Sequence, residues 1–369
     1  MHLGTNALIR FFLQHRDDTS LVLVTVIGIE GSTYRKPGAM MLISEDEQYE
    51  GMISGGCLEG DLLHHASKVF ETGTASLVTY DMHADEQLVW SLGLGCDGII
   101  HLLLQRLDNP KGFEFLHFLQ KSLAARKGVV AGLVTSSVNE DMAIGSLAMV
   151  NSDDQTAGPE LMTQLVSQAT SSGKPDWRYR NIRHGDGDSD SDSDRDGDGD
   201  GDLMLIHVPP YPRVLLCGAG PDAVPVARQL RMLDWDCHLA DHRPAFARED
   251  RFAAGCVVSQ TRPEALDDAV DLAEIDAAVI MSHHLENDAA YLRVLASSPP
   301  RYVGVLGPSA RRDRLLKMAE CEGLEVFGPV GLDIGAEMPE AIALAIAAEI
   351  HAVLNRRDGH SLTSVMSTF

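Results

Sequence analysis

The sequence is poor in aromatic side chains, in paired cysteines and in long apolar runs. Only 5% of its 369 residues are Phe, Trp or Tyr. Its six cysteines are scattered, without a C-x-x-C pair or the spacing of a small disulfide-rich domain, which favours reduced thiols in a cytosolic protein. No apolar stretch approaches the roughly 20 residues that cross a bilayer, and the N-terminus lacks a signal-peptide layout. These absences argue against a disulfide scaffold and a membrane protein and predict a soluble, cytoplasmic chain.

Cationic side chains are scarce as well. The chain has 30 Lys and Arg against 54 Asp and Glu, so its formal net charge is -24 at pH 7. Nucleic-acid binding depends on Lys and Arg that neutralise backbone phosphates, and no basic stripe offsets the acidic total. We therefore expect no nucleic-acid partner. The length allows two or three domains, each with its own core.

Part of the negative charge lies in residues 184–202, a low-complexity stretch of Asp, Gly and Ser with nine aspartates. Such a segment cannot bury enough apolar surface to offset the entropy lost on ordering, so a disordered surface loop is predicted. It lacks the closing Glu of an EF-hand loop and the nonapeptide period of a β-roll, so no calcium site is expected. The Pro-rich stretch 209–212 is predicted to link a domain at 1–208 to a second domain at 213–369.

The two predicted domains differ in their pattern of elements. Upstream of the linker, helical periodicity near residues 3–16, 113–125 and 160–171 is interspersed with β-branched stretches and hairpins. Downstream, strands and helices alternate regularly, which is typical of a parallel sheet. The predicted fold class is α/β, with an N-terminal α+β domain and a C-terminal Rossmann-like domain built on a doubly wound parallel sheet.

The C-terminal part opens with a βαβ unit that contains a glycine-rich turn. A short apolar strand leads into the G-x-G-x-x-A pattern from Gly218 to Ala223, and the next strand ends at Asp241. Gly218 permits a tight turn, Gly220 lets the backbone approach a phosphate, and Ala223 keeps the helix close to the strand. The helix N-terminus offers N–H groups to an anion, and Asp241 is placed to accept a hydrogen bond from a ribose hydroxyl.

Two glycine–cysteine stretches lie in the N-terminal part. Gly55 and Gly56 precede Cys57 at the predicted start of a helix, whose positive end favours a thiolate or a bound anion. Cys57 is then either a sulfur ligand beside an anionic cofactor or a small buried residue in a tight turn, and the residues alone do not decide. Gly95 and Cys96 repeat the pattern less clearly, and a structural role is favoured there.

Two candidate positions follow later strands. Ser309 precedes a helix that carries Arg311, so a phosphate site and a helix cap with a solvated basic face both remain open. His283 ends another strand, at the edge where open α/β sheets bind ligands, and either a ligand contact or a structural role fits it. His283 and His284 point to opposite faces, so a shared metal ion is not expected. The sequence has no Ser-His-Asp order, zinc-protease motif or Walker loop.

These stretches, in their order along the chain, resemble the XdhC/CoxI family, whose members are accessory proteins of molybdenum hydroxylases. The resemblance covers nearly the whole chain outside residues 108–202. It rests on nine motifs: Glu30-Gly-Ser-Thr, Arg35-Lys-Pro-Gly-Ala39, Ser54-Gly-Gly-Cys-Leu-Glu59, Gly93-Leu-Gly-Cys-Asp-Gly98, Cys217-Gly-Ala-Gly-Pro-Asp-Ala223, Asp241-His-Arg-Pro244, Ser282-His283, Val303-Gly-Val-Leu-Gly307 and Gly331-Leu-Asp-Ile-Gly-Ala336.

The resemblance implies a chaperone that binds the molybdenum cofactor, protects it and helps to insert its sulfurated form into an apo xanthine dehydrogenase-type hydroxylase. A cysteine desulfurase is a second implied partner. Glycine amides, arginines and a thiolate suit the anionic cofactor, which we expect in a cleft between the domains, with Cys57 facing the molybdenum end. The predicted cofactor-binding residues are Gly55, Gly56, Cys57, Glu59, Cys96, Gly218, Gly220, Asp222, Ala223, Asp241, Arg243, His283, Ser309 and Arg311.

Two other functions are compatible with the sequence. An NAD(P)-dependent oxidoreductase would use the Rossmann-like domain, with His283 or Cys57 as acid or nucleophile. In that case Asp241 favours NAD, while Arg243 leaves room for a 2′-phosphate. A pure assembly scaffold would bind the hydroxylase and a sulfurase through protein surfaces. The sequence does not decide whether the ligand is molybdopterin or its dinucleotide form. It also does not decide whether the chain is a monomer or a homodimer.

Overall fold

A computed structural model describes five stretches of the chain: residues 4–81, 98–137, 142–170, 177–182 and 201–365. The chain divides into two compact units, Met1–Pro210 and Tyr211–Phe369. Cys96 and residues 184–200 of the Asp-rich stretch lie outside the described residues, so the predictions made for them stay predictions. The strand after this stretch begins at Gly201 and not at Leu203, because Gly201 already pairs with strands on both sides.

The first unit contains two five-stranded antiparallel sheets, the first with strand order β3-β2-β1-β5-β4. Its central strand is buried from Ser20 to Gly28, as expected for a strand covered on both faces. The strands of this sheet are β1 (Ser20–Gly31), β2 (Met40–Ser44), β3 (Tyr49–Gly51), β4 (Ser76–Asp81) and β5 (Gly98–Asp108).

The second sheet of this unit has strand order β8-β7-β6-β10-β9. Leu133 and Met204 from this sheet share one buried cluster with Leu21 and Leu103 from the first, so the two sheets pack face to face. The short strands β8 and β9 were not predicted from the sequence. The strands are β6 (Val129–Ser137), β7 (Leu147–Asn151), β8 (Thr156–Ala157), β9 (Trp177–Ile182) and β10 (Gly201–Val208).

Four described helices complete the first unit. Leu62 of α2 packs on the outer face of the first sheet, and Val166 of α4 packs on the second. The rings of Phe12 in α1 and Phe113 in α3 meet edge to face, 5.4 Å between centroids, in the core that both sheets share. The helices are α1 (Thr5–Gln14), α2 (Glu59–Thr72), α3 (Phe113–Ala124) and α4 (Glu160–Thr170).

The second unit is built on a five-stranded parallel sheet with order β13-β12-β11-β14-β15. The first strand of the unit is central, the second and third lie on one side of it, and the fourth and fifth lie on the other. This is the Rossmann order, as the alternating pattern predicted. The strands are β11 (Arg213–Cys217), β12 (Asp236–Asp241), β13 (Cys256–Gln260), β14 (Ala277–Ile280) and β15 (Tyr302–Val305).

Helices cover both faces of this sheet, which confirms the doubly wound prediction. Leu230 of α5 and Ile346 of α9 join the buried cluster on one face, and Leu292 of α7 and Leu315 of α8 join the cluster on the other. The helices are α5 (Ala223–Met232), α6 (Leu266–Ala269), α7 (Leu285–Leu295), α8 (Ser309–Ala319), α9 (Pro339–Leu354) and α10 (Leu362–Val365).

Within the described residues, none of the helices combines the length and apolar character of a membrane span. Even α9, whose 16 residues are mostly apolar, is shorter than the roughly 20 residues that such a span needs.

Candidate ligand-binding site

The loop ahead of α2 carries Cys57, and the buried side chain of Glu59 holds this loop together. The Glu59 carboxylate is 3% exposed and accepts four hydrogen bonds. The donors are the N–H groups of Ile53 (3.0 Å), Ser54 (2.9 Å) and Gly56 (2.9 Å) and the Ser54 hydroxyl (2.6 Å). Burial by itself would raise the pKa of Glu59, but these hydrogen bonds outweigh it and lower the pKa. The loop is therefore organised around an ionised internal carboxylate.

Cys57 is partly exposed on this loop. The preceding Gly55 and Gly56 have φ values of +85° and +111°, which L side chains rarely adopt. A Cβ at Gly56 would have no described atom within 4 Å. Helix α2 begins at Glu59, so Cys57 lies just ahead of a helix start, as the sequence predicted. The partly exposed thiol therefore lies on a loop that the buried Glu59 carboxylate holds from inside.

A second motif stretch, residues 30–38, reaches the same end of the first sheet. The ring of Tyr34 would lie 3.6 Å from a Cβ at Gly55, so this stretch touches the cysteine loop. A Cβ at Gly98 would lie 2.6 Å from the carbonyl oxygen of Ser32, so the start of β5 packs directly against it. The loop at Gly55 and Gly98, the last residue of a third motif, therefore both contact the stretch 30–38.

The glycine-rich turn between β11 and α5 is tightly packed in the second unit. Gly218 has a φ of +118°, and a Cβ there would lie 2.7 Å from the backbone nitrogen of Ser282 and 2.8 Å from the carbonyl oxygen of Met281. Only glycine fits this position, as the turn pattern predicted. Ala223 begins α5 and is fully buried, so the helix lies close to the sheet.

Asp222 and His283 come together beside this turn. Asp222 is the N-cap residue of α5 but makes no capping hydrogen bond with its side chain. Its Oδ2 lies 2.6 Å from Nε2 of His283, and its Oδ1 would lie 2.8 Å from a Cβ at Gly220. His283 has a φ of +62°, which is uncommon for a residue with a side chain and is often found at functional sites. Its imidazole is 60% exposed and therefore accessible to a ligand.

Asp241 lies at the carboxyl end of β12 as predicted, but its side chain is 1% exposed. Oδ2 accepts hydrogen bonds from the Ala219 N–H (2.8 Å) and from Nη2 of Arg243 (2.7 Å). Oδ1 accepts from the N–H and from Nε of Arg243, each at 2.9 Å. Burial by itself would raise the pKa of Asp241, but the bonds from Arg243 and Ala219 outweigh it and lower the pKa. The carboxylate predicted to face a ribose faces protein donors instead.

Acid unfolding tests the Asp241 pair. Because the folded-state pKa of Asp241 is lowered, its stabilising contribution is complete above the ordinary carboxyl value of 3.8 and is lost as the pH falls through the folded-state value. We expect the unfolding free energy of the wild type to drop between about pH 5 and pH 2, and Asp241→Asn to show a flatter profile. Urea unfolding across this range measures both. Parallel profiles would contradict the prediction, and the exposed Asp250→Asn is the control.

Arg311 is held by a buried carboxylate that the sequence analysis did not single out. Its Nη2 lies 2.6 Å from Oδ2 of Asp288, which is 1% exposed. Asp288 also accepts hydrogen bonds from the hydroxyl and the N–H of Ser282. Ser309 is exposed in the first turn of α8, and the N-cap residue is Pro308, so Ser309 does not cap the helix. Asp288 therefore links α8 to the strand end that packs on the glycine-rich turn.

The candidate residues form two groups, one in each unit. No group of three or more His, Cys, Asp or Glu side chains in the described ranges is arranged to hold a metal ion. Cys57 as a molybdenum contact therefore stays a prediction. The first group consists of Gly55, Gly56, Cys57 and Glu59; the second consists of Gly218, Gly220, Asp222, Ala223, Asp241, Arg243, His283, Ser309 and Arg311, at the carboxyl ends of the parallel strands.

Comparison with known proteins places these motifs in a family. A model of the XdhC and CoxI family matches residues 14–81, and a model of the XdhC Rossmann domain matches residues 214–350. A protein of Bacillus subtilis (strain 168), named as a probable subunit of xanthine dehydrogenase, is 30% identical over 334 residues, covering 90% of this chain and 93% of that protein. The chain belongs to the XdhC and CoxI family. The resemblance seen in the sequence motifs is thereby confirmed.

Two further family relatives extend the likeness. The molybdenum cofactor insertion chaperone PaoD of Escherichia coli (strain K12) is 23% identical over 342 residues, 90% of this chain and 83% of PaoD. A crystal structure from Bacillus halodurans, described as a xanthine dehydrogenase, is 28% identical with a TM-score of 0.76 and covers 99% of both chains. The family likeness and the predicted fold class therefore hold across both units.

Proposed function

We propose that the chain binds the molybdenum cofactor as its cargo and assists its insertion into an apo-hydroxylase of the xanthine dehydrogenase type. The family and the relative named as a cofactor insertion chaperone support this role. The structural observation that carries it is the partly exposed thiol of Cys57 on a loop held by the buried Glu59. A metal that the dithiolene already binds through sulfur can accept a thiolate as a further ligand, and the loop holds such a donor in a defined position.

The donor set in each unit suits this cargo. Molybdopterin has a polar pterin, a dithiolene that holds molybdenum, and a phosphate. In the first unit, a thiol and the exposed backbone of Gly55 and Gly56 suit the metal-bearing end. In the second, the guanidinium groups of Arg243 and Arg311 suit a phosphate. The cofactor supplies a metal centre to the recipient enzyme, whereas this chain binds, orients and shields it.

We also propose that delivery involves the sulfurated form of the cofactor, with a cysteine desulfurase as the sulfur donor. A partly exposed thiolate such as Cys57 can attack the outer sulfur of a desulfurase persulfide, which forms a persulfide on Cys57 and releases the desulfurase thiolate. Apo-hydroxylase mixed with chain that carries the unsulfurated cofactor should become active only when desulfurase and cysteine are added. Full activation without them would contradict a sulfur transfer step at this stage.

Replacing Cys57 with serine should lower the amount of bound pterin about tenfold without unfolding the protein, because a serine hydroxyl, unlike a thiol, does not ionise near neutral pH and binds a metal weakly. The measurement is pterin fluorescence after oxidation, per mole of purified protein, together with a thermal melt. Cys321→Ser is the matched control, since this thiol is also partly exposed but lies outside both groups of candidate residues. Unchanged pterin in Cys57→Ser would remove Cys57 from the binding site.

A further inference from the structure

The carboxyl end of β12 is where a Rossmann fold distinguishes its ligands. In NAD-binding members, an acidic side chain at this place accepts a hydrogen bond from the ribose hydroxyls, and it needs a free oxygen lone pair to do so. The Asp241 carboxylate has about four lone-pair sites. Four protein N–H groups, from Ala219 and Arg243, already point at them. A ribose would have to displace a buried ion pair, which is costly.

Arg243 follows Asp241 by two residues and lies at the same end of β12, where a ribose would bind in an NAD-binding member. Two of its five side-chain N–H groups are directed at Asp241, and the side chain is 36% exposed. Among the residues that the structure describes, none other than Asp241 accepts a hydrogen bond from its guanidinium. The hydrogen bond to Asp241 also raises the pKa of Arg243, so the group stays charged. The remaining N–H groups are available to an anion.

The position of this guanidinium is fixed by the Phe246 ring and the Asp241 carboxylate, and Arg251 in turn holds Phe246. Its carbon lies 4.2 Å from the centroid of the Phe246 ring, and the carbon of Arg251 lies 5.0 Å from the same centroid. Arg251 donates to the carbonyl oxygens of Ala219 (2.6 Å) and Phe246 (2.8 Å). Asp241 joins Arg243 to the Ala219 N–H through one shared oxygen. Arg243 is therefore within two hydrogen-bond lengths of the glycine-rich turn and is held rigidly there.

We propose that Arg243 is a specificity-determining residue that recognises a phosphomonoester at the end of β12, and that this site rejects a ligand with an unphosphorylated ribose at that place. A fixed planar guanidinium with a free edge matches two phosphate oxygens, and glycine amides alongside suit the same group. The inference rests on the proposed function only for the natural source of the phosphate. That source is the cofactor's terminal phosphate or a nucleotide 2′-phosphate.

Two probes that differ by one phosphate test this proposal. Calorimetric titration of the full chain with adenosine 2′,5′-bisphosphate and with adenosine 5′-monophosphate should show at least about tenfold tighter binding of the bisphosphate. Arg243→Gln should weaken bisphosphate binding about 10- to 100-fold and leave the monophosphate little changed. Inorganic phosphate should compete with the bisphosphate in the wild type. Equal affinities, or binding of neither probe, would overturn the proposal.

Two control variants keep this test decisive. Arg248→Gln removes the same charge from the same loop, but Arg248 is exposed and paired with Asp250, so both affinities should stay at the wild-type level. Arg243→Lys keeps the charge beside Asp241 and loses the planar fork. It should remain folded in a thermal melt while losing most of the preference for the bisphosphate. A folded Arg243→Lys with the full wild-type preference would refute the role of the fork.

Pterin retention and the preference between the two probes are separate measurements. Together they distinguish the source of the phosphate and test the proposed function independently of this inference. Pterin retention in Arg243→Lys should fall if the cofactor's own phosphate occupies the site, and stay unchanged if the site takes a nucleotide 2′-phosphate. A wild-type chain that prefers the bisphosphate but never retains pterin would overturn the proposed function and leave this inference standing. Pterin retention without any preference between the two probes would overturn only this inference.

Discussion

Replacing Glu59 with alanine is expected to lower the free energy of unfolding of the first unit by about 3 kcal/mol. The change removes one ionised acceptor and leaves three N–H groups and one hydroxyl without it. For a unit of this size, that loss corresponds to a melting temperature lower by roughly 6 to 12 °C. Because Cys57 lies on the same loop, pterin retention should fall together with stability. Differential scanning calorimetry and pterin fluorescence measure the two effects.

The matched control is Glu50→Ala in β3. Glu50 is a glutamate of the same unit that is only partly buried and accepts one long hydrogen bond, 3.3 Å, from the Gly51 N–H. Its loss should change stability by no more than about 0.5 kcal/mol. Glu59→Gln separates charge from shape, because an amide keeps one acceptor oxygen but places an NH₂ group against a backbone donor. An alanine variant of Glu59 as stable as the Glu50 variant would show that the loop does not depend on the carboxylate.

Gly218→Ala should destabilise the second unit by about 3 kcal/mol or more. A Cβ there would be only 2.7 Å from the backbone nitrogen of Ser282, and the φ of +118° is unfavourable for any side chain. Backbone on both sides would have to move, and the glycine-rich turn would leave its place beside Arg243. We therefore also expect the variant to lose binding of adenosine 2′,5′-bisphosphate. Thermal unfolding and calorimetric titration measure the two losses.

Gly323→Ala is the control for this substitution. A Cβ at Gly323 would meet no described atom within 4 Å, and its φ is not in the positive region. Alanine should therefore leave stability unchanged or raise it by up to about 1 kcal/mol, since it restricts the unfolded chain. If Gly218→Ala proved as harmless as Gly323→Ala, the result would contradict the claim that the turn packs against the backbone at the end of β14.

Three buried carboxylates perform the same task in the two units. Glu59 holds the cysteine loop, Asp241 holds the glycine-rich turn together with Arg243, and Asp288 holds Arg311 and the end of β14. Each is at most 3% exposed. The groups left accessible are a thiol, an imidazole and guanidinium groups. An acidic chain can therefore present sites suited to an anion, because these three carboxylates are turned inward and bound to backbone, hydroxyl and arginine donors.

Much of the fold could be predicted from local patterns. The alternation of strands and helices after residue 213, the turn at Gly218 and the start of α2 near Cys57 each have a strong signal within a short window. The strand β9 was missed, because its six residues are too few for a clear pattern and its partner β10 lies beyond the Asp-rich stretch. Asp288 had only its place in the first turn of a helix, which many surface acids share.

The sequence predicted where the candidate residues lie along the strands and did not predict which way their side chains point. Asp241 does follow β12, yet its carboxylate is directed at Ala219 and Arg243. A spacing rule places a residue at the end of a strand but cannot say which donors surround it there. His283 was likewise expected at a strand end, whereas its contact with Asp222, 61 residues earlier, depends on β14 lying next to β11.

Family, class of fold and the location of the two motif-bearing loops thus follow from residue order, because glycine turns and apolar periodicity act over a few neighbouring residues. Which polar groups face inward and which face a ligand follows from the folded chain alone. The reason is that hydrogen-bond partners such as Ala219 for Asp241 and Asp288 for Arg311 are brought together by the arrangement of strands. Residue periodicity depends only on residues a few positions apart, so it cannot predict these distant partners.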